Sequence, residues 1–440
     1  MKTKLILALL FAGATCLFSR NPIGPALTFP ADPSAKLGAD GRLYVYCSLD
    51  IATNYYCSQT NVVLSTGDMR TWQWHPNSFV SAGKNDMLPD NDAILYAPDC
   101  QYRDGNYYLY FCQPGKLPTG VAVSKSPTGP FTNATFLNVG KYLEIDPSTF
   151  IDDDGQAYHV WGQFTMKMAK LNKDMRTLDA DSIRDNILTE KEHHFHEGAY
   201  MTKRNGLYYL VFADNSREYR PSCLGYATSK SPFGPYQYRG VIIDNNHCNP
   251  GNWNNHGSIA EFGGKWYVFY HRSTQGVVMM RKACVEPITF REDGSIPEVE
   301  MTTQGAEGPI DASLRIETEQ ACALWGKLRI STGGGETEIL TGIHDGDRAI
   351  YKYIDFKTEP KKLRLRVKPG KSDCTLSIHL DQDLNAPIAK TKIMGSPNGQ
   401  WAEIVCDVAN VSGVHAVTLS FQVQGEDGPH LDWWQFEESN

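Results

Sequence analysis

The stretch Gly41-Arg42-Leu43-Tyr44-Val45-Tyr46 decides the fold, because its Gly-x-x-Tyr pattern within an apolar run recurs along the chain. Further copies begin at Gly105, Gly155, Gly206 and Gly264. In each copy an Asp-Gly, Asn-Gly or Gly-Gly turn leads into a strand rich in aromatic or β-branched residues. Five copies spaced about 50 to 65 residues apart, without helical periodicity, predict an all-β chain with a five-bladed β-propeller.

A different pattern begins after about residue 300. The segment 304–312 contains two glycines and a proline, which is typical of a linker. Beyond it apolar and polar residues alternate, for example over 363–368 and 417–423, and this period of two indicates half-buried antiparallel strands. The sequence therefore predicts the propeller over residues 21–303, a linker over 304–312, and a β-sandwich of jelly-roll type over 313–440.

The first residues have the pattern of a signal peptide. Two lysines precede the apolar run Leu5–Ala12, and a small-residue cleavage motif ends at Ala14. Residues 1–20 are therefore predicted as a signal with cleavage near Ala14. Acylation of Cys16 is the less favoured alternative, because the residues before it match a lipid-attachment motif poorly. In both cases we expect export to the periplasm, the medium or the cell surface.

The composition excludes several classes of protein. The chain has 440 residues and a formal charge of −8, which argues against binding along nucleic-acid phosphates. No run of about 18 apolar residues occurs outside the first residues, so no membrane span is predicted. Aromatic residues make up 11% of the chain, which suits both β-structure and stacking against sugar rings. The eleven cysteines show no Cys-x-x-Cys spacing and leave any disulfide pairing open.

A polar residue precedes every repeat turn by a similar distance. Asp32, Asp146 and Glu197 each lie nine residues before the turn glycine, His256 lies eight before it, and Asp99 lies six before it. The innermost strand of a propeller blade starts near the central channel, so equivalent positions should meet around one axis. Crowded carboxylates push their pKa values apart, which lets one act as an acid while another acts as a base. The sequence predicts an acid/base site in the channel.

These motifs resemble glycoside hydrolase family 43, whose members are five-bladed propellers. The resemblance covers about residues 21–300 and follows the family's order of motifs, from Ala31-Asp32-Pro33-Ser34 to Asn255-His256-Gly257-Ser258. It implies that Asp32 is the general base and Glu197 the general acid, while Asp146 orients the acid and modulates its pKa. The family inverts the anomeric centre, so the two catalytic carboxylates should lie about 6.5–9.5 Å apart.

The same resemblance implies further site residues. Arg272, Asp99 and Trp161 are expected to bind substrate. His256 resembles the family's channel histidine, which implies a calcium ion or a water cluster beside it.

The C-terminal region resembles carbohydrate-binding module family 6. The resemblance rests on segments near Arg315-Ile316-Glu317-Thr318-Glu319, Asp345-Gly346-Asp347 and Leu431-Asp432-Trp433. It implies a structural calcium ion held by Glu317, Glu319 and Asp432. Arg348 stands where an aromatic residue is frequent, so the domain is expected either to bind glycan or to support the propeller.

The expected activity is that of an exported exo-glycosidase, first of all an α-L-arabinofuranosidase, that acts on plant cell-wall polysaccharides. β-Xylosidase and β-galactofuranosidase are alternatives with the same catalytic groups, and an open groove would instead give an endo-acting enzyme. The alternative of another class is a non-catalytic glycan-binding propeller. No cofactor is needed for the chemistry, and a monomer is expected.

Overall fold

A computed structural model describes residues 17–18, 20–88, 91–115, 119–217, 220–248, 254–333, 337–357, 359–381 and 383–438. Ala14 and Cys16, on which the predicted cleavage and acylation depend, lie outside the described residues. Strands dominate, and the α-helical structure of the described part is one turn, α1 (Glu190–His193). Short 3₁₀ turns occur at Gly83–Asn85, Ala180–Ser182 and Thr318–Gln320.

The described N-terminal part forms five antiparallel sheets in chain order, which are the five predicted blades. Blade 1 contains β1 (Leu17–Phe18), β2 (Pro30–Leu37), β3 (Leu43–Leu49), β4 (Thr60–Thr66) and β5 (Thr71–Val80). Blade 2 contains β6 (Asp99–Arg103), β7 (Asn106–Phe111), β8 (Gly120–Ser124) and β9 (Thr132–Phe136). Blade 3 contains β10 (Ser148–Ile151), β11 (Ala157–Trp161) and β12 (Lys167–Leu171). Blade 4 contains β13 (Phe195–Arg204), β14 (Leu207–Asp214), β15 (Cys223–Ser229) and β16 (Gln237–Asp244). Blade 5 contains β17 (Ser258–Phe262), β18 (Lys265–Thr274) and β19 (Val277–Ile288).

The repeated glycines make the turn between the first two main strands of every blade. Their φ angles lie between 75° and 81° at Gly41, Gly105, Gly155, Gly206 and Gly264. This left-handed conformation favours glycine, since other residues meet their own backbone there. Because every blade has the same turn conformation, glycine recurs at this position, and the repeat can be recognised in the sequence.

The ends of the propeller meet at one seam. Apolar side chains of blades 1 and 5, among them Leu43, Trp72 and Phe269, form one buried cluster. The buried amide of Asn21 donates hydrogen bonds to the carbonyl of Val285 at 2.9 Å and to that of Thr302 at 3.1 Å. The seam therefore joins the start of the chain to the last blade and the segment beyond it.

Two six-stranded sheets form the C-terminal sandwich and confirm the predicted fold class. One sheet contains β20 (Ile310–Asp311), β22 (Ala323–Trp325), β25 (Arg348–Phe356), β27 (Cys374–Leu380), β28 (Ala389–Ile393) and β30 (Gly413–Val423). The other contains β21 (Ile316–Glu317), β23 (Arg329–Thr332), β24 (Glu338–Thr341), β26 (Lys362–Lys368), β29 (Ala402–Asp407) and β31 (His430–Glu437). Because β20 pairs with β25, the sandwich begins inside the predicted linker.

The sandwich packs against blade 5 of the propeller. The ammonium of Lys282 on β19 contacts the carboxylate of Glu338 on β24, and both side chains are buried. Gln275, in the β18–β19 turn, donates a hydrogen bond to the same carboxylate at 2.7 Å. Nearby, the rings of His247 and Trp325 stack at 4.3 Å. The two domains thus share buried polar contacts.

Candidate active site

Irregularities in the innermost strands turn three acidic side chains toward the channel. The register of β2 shifts between Ala31 and Ser34, and that of β13 shifts on both sides of Glu197. Asp32 and Asp146 have φ angles of 54° and 61°, in the left-handed region that is costly for residues with a side chain. The sequence thus places a strained or bulged residue where each carboxylate leaves its strand.

The predicted carboxylates meet in one cavity of about 170 Å³. Its lining consists of Asp32, Tyr56, Cys57, Tyr96, Ala97, Ile145, Asp146, Gln163, Glu197, Asn254, His256 and Arg281. The structure therefore brings together four of the five residues that precede the repeat turns. They come from blades 1, 3, 4 and 5, so the cavity lies where these blades meet at the central channel.

Asp32 is held in its ionised form. Burial raises the pKa of this carboxyl, but Arg281, His256, His271 and Ser48 more than offset burial and lower it to about 2. Arg281 Nη1 lies 2.7 Å from Asp32 Oδ1, and the Ser48 hydroxyl donates to Oδ2 at 2.5 Å. A buried carboxylate that stays charged at neutral pH is suited to accept a proton from water.

The surroundings of Asp146 favour its protonated form. Burial, together with the nearby charges of Glu197 and Asp32, raises its pKa well above the ordinary range. His256 Nδ1 lies 3.6 Å from Asp32 Oδ1 and 3.9 Å from Asp146 Oδ2, and burial lowers the pKa of this histidine. A neutral histidine and a protonated Asp146 reduce the charge that the pocket must hold. The cluster thus combines a carboxyl group whose surroundings favour the ionised form with one whose surroundings favour the protonated form.

Two amides hold the acid candidate. Gln163 Nε2 donates to Glu197 Oε2 at 2.7 Å, and Asn254 Nδ2 donates to Oε1 at 3.2 Å. Gly198 follows with φ 68°, and a Cβ there would come within 2.9 Å of the His256 ring. The glycine therefore allows the acid and the histidine to approach closely.

Arg281 is the main site residue that the repeat did not predict. Its guanidinium donates to Asp50 through Nε at 2.8 Å and Nη2 at 2.9 Å, while Nη1 reaches Asp32. Asp50 is fully buried, so this ion pair fixes the position of the Arg281 guanidinium. The sequence positions of Gln163 and Asn254 could have indicated a place in the site. Gln163 follows the second strand of blade 3, and Asn254 directly precedes the motif that contains His256. Arg281 lies within β19 and has no repeat counterpart that points to it.

The structure does not place three expected substrate contacts in the cavity. Arg272 follows His271 on β18 and points the other way; its buried guanidinium donates to the Tyr270 hydroxyl at 2.7 Å. Asp99 is buried below the pocket, where Ser34 donates to it at 2.5 Å and Lys36 pairs with it at 3.0 Å. Trp161 is fully buried between blades 2 and 3. All three make structural contacts outside the cavity, whereas the sequence predicted that they contact substrate.

The expected calcium sites are not assembled in the described part of the chain. There, no three His, Cys, Asp or Glu side chains converge closely enough to hold a metal ion. In the sandwich, Arg315 pairs with Glu317 at 2.7 Å and Arg366 pairs with Asp432 at 2.9 Å, although Asp432 Oδ1 and Glu319 Oε2 are buried without partners. In the channel, His256 offers a nitrogen, whereas calcium prefers oxygen ligands. In the described part of the chain these residues therefore do not form a calcium cage.

Comparison with known proteins agrees with the geometry of the cavity. The model of glycosyl hydrolases family 43 matches residues 19–296, which is more than half of the chain and includes all the cavity residues. The chain belongs to glycosyl hydrolase family 43. This family 43 enzyme is a glycoside hydrolase, and its second domain matches the model of carbohydrate binding module family 6 over residues 317–438.

Relatives of this family 43 enzyme share most of its length. A xylosidase/arabinosidase of Thermoclostridium stercorarium is 26% identical, over 92% of this chain and 96% of its own. Xylosidase/arabinosidase 43A of Humicola insolens is 31% identical, over 62% of this chain and 98% of its own. Among solved structures, a family 43 arabinoxylan arabinofuranohydrolase of Bacillus subtilis in complex with cellotetraose superposes with a TM-score of 0.54 at 24% identity. The match covers 95% of this chain and 97% of the other, and it supports the fold.

Proposed function

We propose that this glycoside hydrolase is an exported, inverting, exo-acting enzyme that removes arabinofuranosyl side chains from arabinoxylan or a related plant polysaccharide. The observation that supports the proposal is the single small cavity in which Asp32, Asp146 and Glu197 meet. At about 170 Å³, it is well below the roughly 300–1,000 Å³ of sites for larger ligands. Such a volume suits one terminal sugar residue.

The chemistry follows from the two environments. Asp32, as the ionised base, takes a proton from a water molecule whose oxygen attacks the anomeric carbon. The bond from that carbon to the glycosidic oxygen breaks, and Glu197 gives its proton to the departing oxygen. Asp146 orients the acid and keeps the pocket from carrying three negative charges. No cofactor takes part in these steps.

A β-xylosidase is the second candidate for the same catalytic groups. Three of the relatives are named for both xylosidase and arabinosidase activity, and another, of Aspergillus niger, is named a β-D-galactofuranosidase. Arabinofuranose has a five-membered ring and xylopyranose a six-membered ring, but both are pentoses and both are small enough for this cavity. We place arabinofuranosidase first because relatives that pair over 92% of this chain include two arabinoxylan arabinofuranohydrolases.

The first experiment is hydrolysis of p-nitrophenyl α-L-arabinofuranoside, β-D-xyloside and β-D-galactofuranoside, and of arabinoxylan, arabinan and arabinogalactan fragments. Release of arabinose alone, abolished in Asp32→Asn, is the expected result. Release of xylose alone would favour the second candidate. If the wild type turns over none of these substrates while both the wild type and the variant bind glycan, a binding protein is favoured.

A second measurement separates the roles of the two carboxylates. p-Nitrophenolate leaves without a proton, so Glu197→Gln should keep much more activity on the p-nitrophenyl substrate than on an oligosaccharide. Asp32→Asn should lose both activities, because every substrate needs an activated water. Proton NMR of the first product should show the inverted anomer. Retention of configuration would contradict the proposed mechanism.

Export, a monomeric state and glycan binding by the sandwich belong to the same proposal. The N-terminal lysines and apolar run support a signal peptide, and the match to a carbohydrate binding module supports a contact with polysaccharide. In the described part of the chain no helix is long and apolar enough to cross a membrane. Mass spectrometry of the secreted protein should give the mature N-terminus near residue 15, and sedimentation should give one chain per particle.

A further inference from the structure

Phe164 is an exposed aromatic residue in a costly conformation beside the acid. About half of its surface, 51%, is accessible, and its φ angle is 63°. A bulky residue in the left-handed region persists where its surroundings fix it, and such positions concentrate at functional sites. The ring is therefore displayed to solvent at an energetic cost.

The surroundings of Phe164 fix its backbone firmly. Its N–H donates to the His196 carbonyl at 2.6 Å, and its carbonyl accepts from the Glu190 N–H at 3.2 Å. The preceding residue, Gln163, donates to the Glu197 carboxylate through its side chain and to Glu144 through its N–H at 2.8 Å. The loop that displays Phe164 is thus the loop that holds the acid.

The ring is connected to the acid through His196. It meets the His196 ring edge to face at 5.2 Å, and His196 immediately precedes Glu197. His196 Nε2 lies 4.0 Å from Glu197 Oε2. Because Glu197 must touch the departing oxygen, the sugar that bears this oxygen comes to the same edge of the pocket. With about half of its surface exposed, the phenyl ring is accessible to pack on that sugar.

We propose that Phe164 binds the aglycone, stacking on the pyranose of the polysaccharide main chain from which the side-chain sugar is cleaved. This inference rests on the proposed function, since it assigns the leaving-group side from the role of Glu197. The ligand is the apolar face of a pyranose ring, a surface on which aromatic side chains stack through burial of C–H groups. Phe164 thereby favours a polymeric leaving group over a small one.

The test compares Phe164→Gly with the wild type on two substrates that differ only in the leaving group. Glycine suits the φ angle, and this relief of strain offsets the greater flexibility that glycine gives the unfolded chain, so the variant should fold. On an arabinoxylo-oligosaccharide, kcat/KM should fall about tenfold, mainly through KM, which is the equivalent of roughly 1.4 kcal/mol. On the methyl α-L-arabinofuranoside, which has no sugar to stack, it should stay within about twofold. Phe164→Tyr should restore the oligosaccharide rate.

A matched control is Phe136→Ala. Phe136 is 42% exposed on β9 of blade 2 and does not line the cavity, so both substrates should react as in the wild type. Equal losses on both substrates in Phe164→Gly would overturn the inference, because the loop would then act only through the acid. Unchanged rates on both would overturn it as well. If the wild type releases no sugar from any glycoside, both the proposed function and this inference fail. If the wild type hydrolyses its substrates but Phe164→Gly shows no selective loss on the oligosaccharide, only the role of Phe164 is refuted.

Discussion

Replacing Arg281 with glutamine should move the acid limb of the pH profile upward. The guanidinium lies 2.7 Å from Asp32 and helps hold the pKa of that carboxyl at about 2. An adjacent opposite charge lowers a carboxyl pKa by roughly one to three units. Without it the pKa of Asp32 should rise to about 3–5, with burial pushing toward the upper value.

The sign follows from the role of the base. Asp32 accepts a proton only when it is ionised, so a higher pKa removes activity from the acidic side of the profile. The assay is kcat/KM on the p-nitrophenyl glycoside from pH 3 to pH 8, with the product read after alkaline quenching. The wild type should keep its activity until the protein itself fails at low pH, whereas Arg281→Gln should lose half of its plateau activity near pH 4–5.

Arg272→Gln is the matched control, because it removes another buried arginine of blade 5 that does not line the cavity. Its acid limb should stay in place while its melting temperature falls. An Arg281→Gln variant that folds, retains measurable activity and shows an unmoved acid limb would refute the assignment of Asp32 as a base held ionised by this arginine.

Three other predictions concern the acid's neighbour, the buried core and the domain contact. Gly198→Ala should lower kcat/KM by at least about tenfold, since its Cβ would press on the His256 ring and displace the acid, whereas Gly240→Ala, with a positive φ but open space, should not. Burial raises the pKa of Glu286 from 4.5 to about 7. Between these pH values the folded state retains a proton that the unfolded state releases. The free energy of unfolding should therefore fall as the pH rises from about 4.5 through 7. Thermal unfolding of Glu286→Gln should therefore depend less on pH over that window, and an identical slope would contradict the shift. Glu338→Ala should lower the free energy of unfolding by about 3–5 kcal/mol, because Lys282 is left buried without its partner. Chemical denaturation measures this loss, and Glu359→Ala, in an exposed pair with Lys361, is its control.

The repeat made much of the fold and site predictable. An offset of eight or nine residues from the turn glycine places side chains at a similar height in each blade, and this rule predicts Asp32, Asp146, Glu197 and His256. The rule also explains the failure at Asp99, whose offset differs by three residues. That residue lies lower in the channel, against Ser34 and Lys36.

The remaining errors came from side-chain direction. His271 and Arg272 are neighbours on one strand, and the alternation of a strand sends them to opposite faces. The histidine faces Asp32, so the arginine faces the core, and the cavity receives its guanidinium from Arg281 instead. The family resemblance implies a sugar contact for Trp161, but a resemblance in sequence does not distinguish an indole ring on the surface from one buried between blades.

The seam at Asn21 has a consequence for the order of events during folding. The residues that this side chain joins are separated by more than 260 positions, so the contacts that close the ring are among the most distant in the sequence. Loop-closure entropy must be overcome before such contacts add stability, which makes them slow to form. The ring cannot close until blade 5 has been made, and until then the propeller is an open arc whose first blade exposes the face that later packs on blade 5.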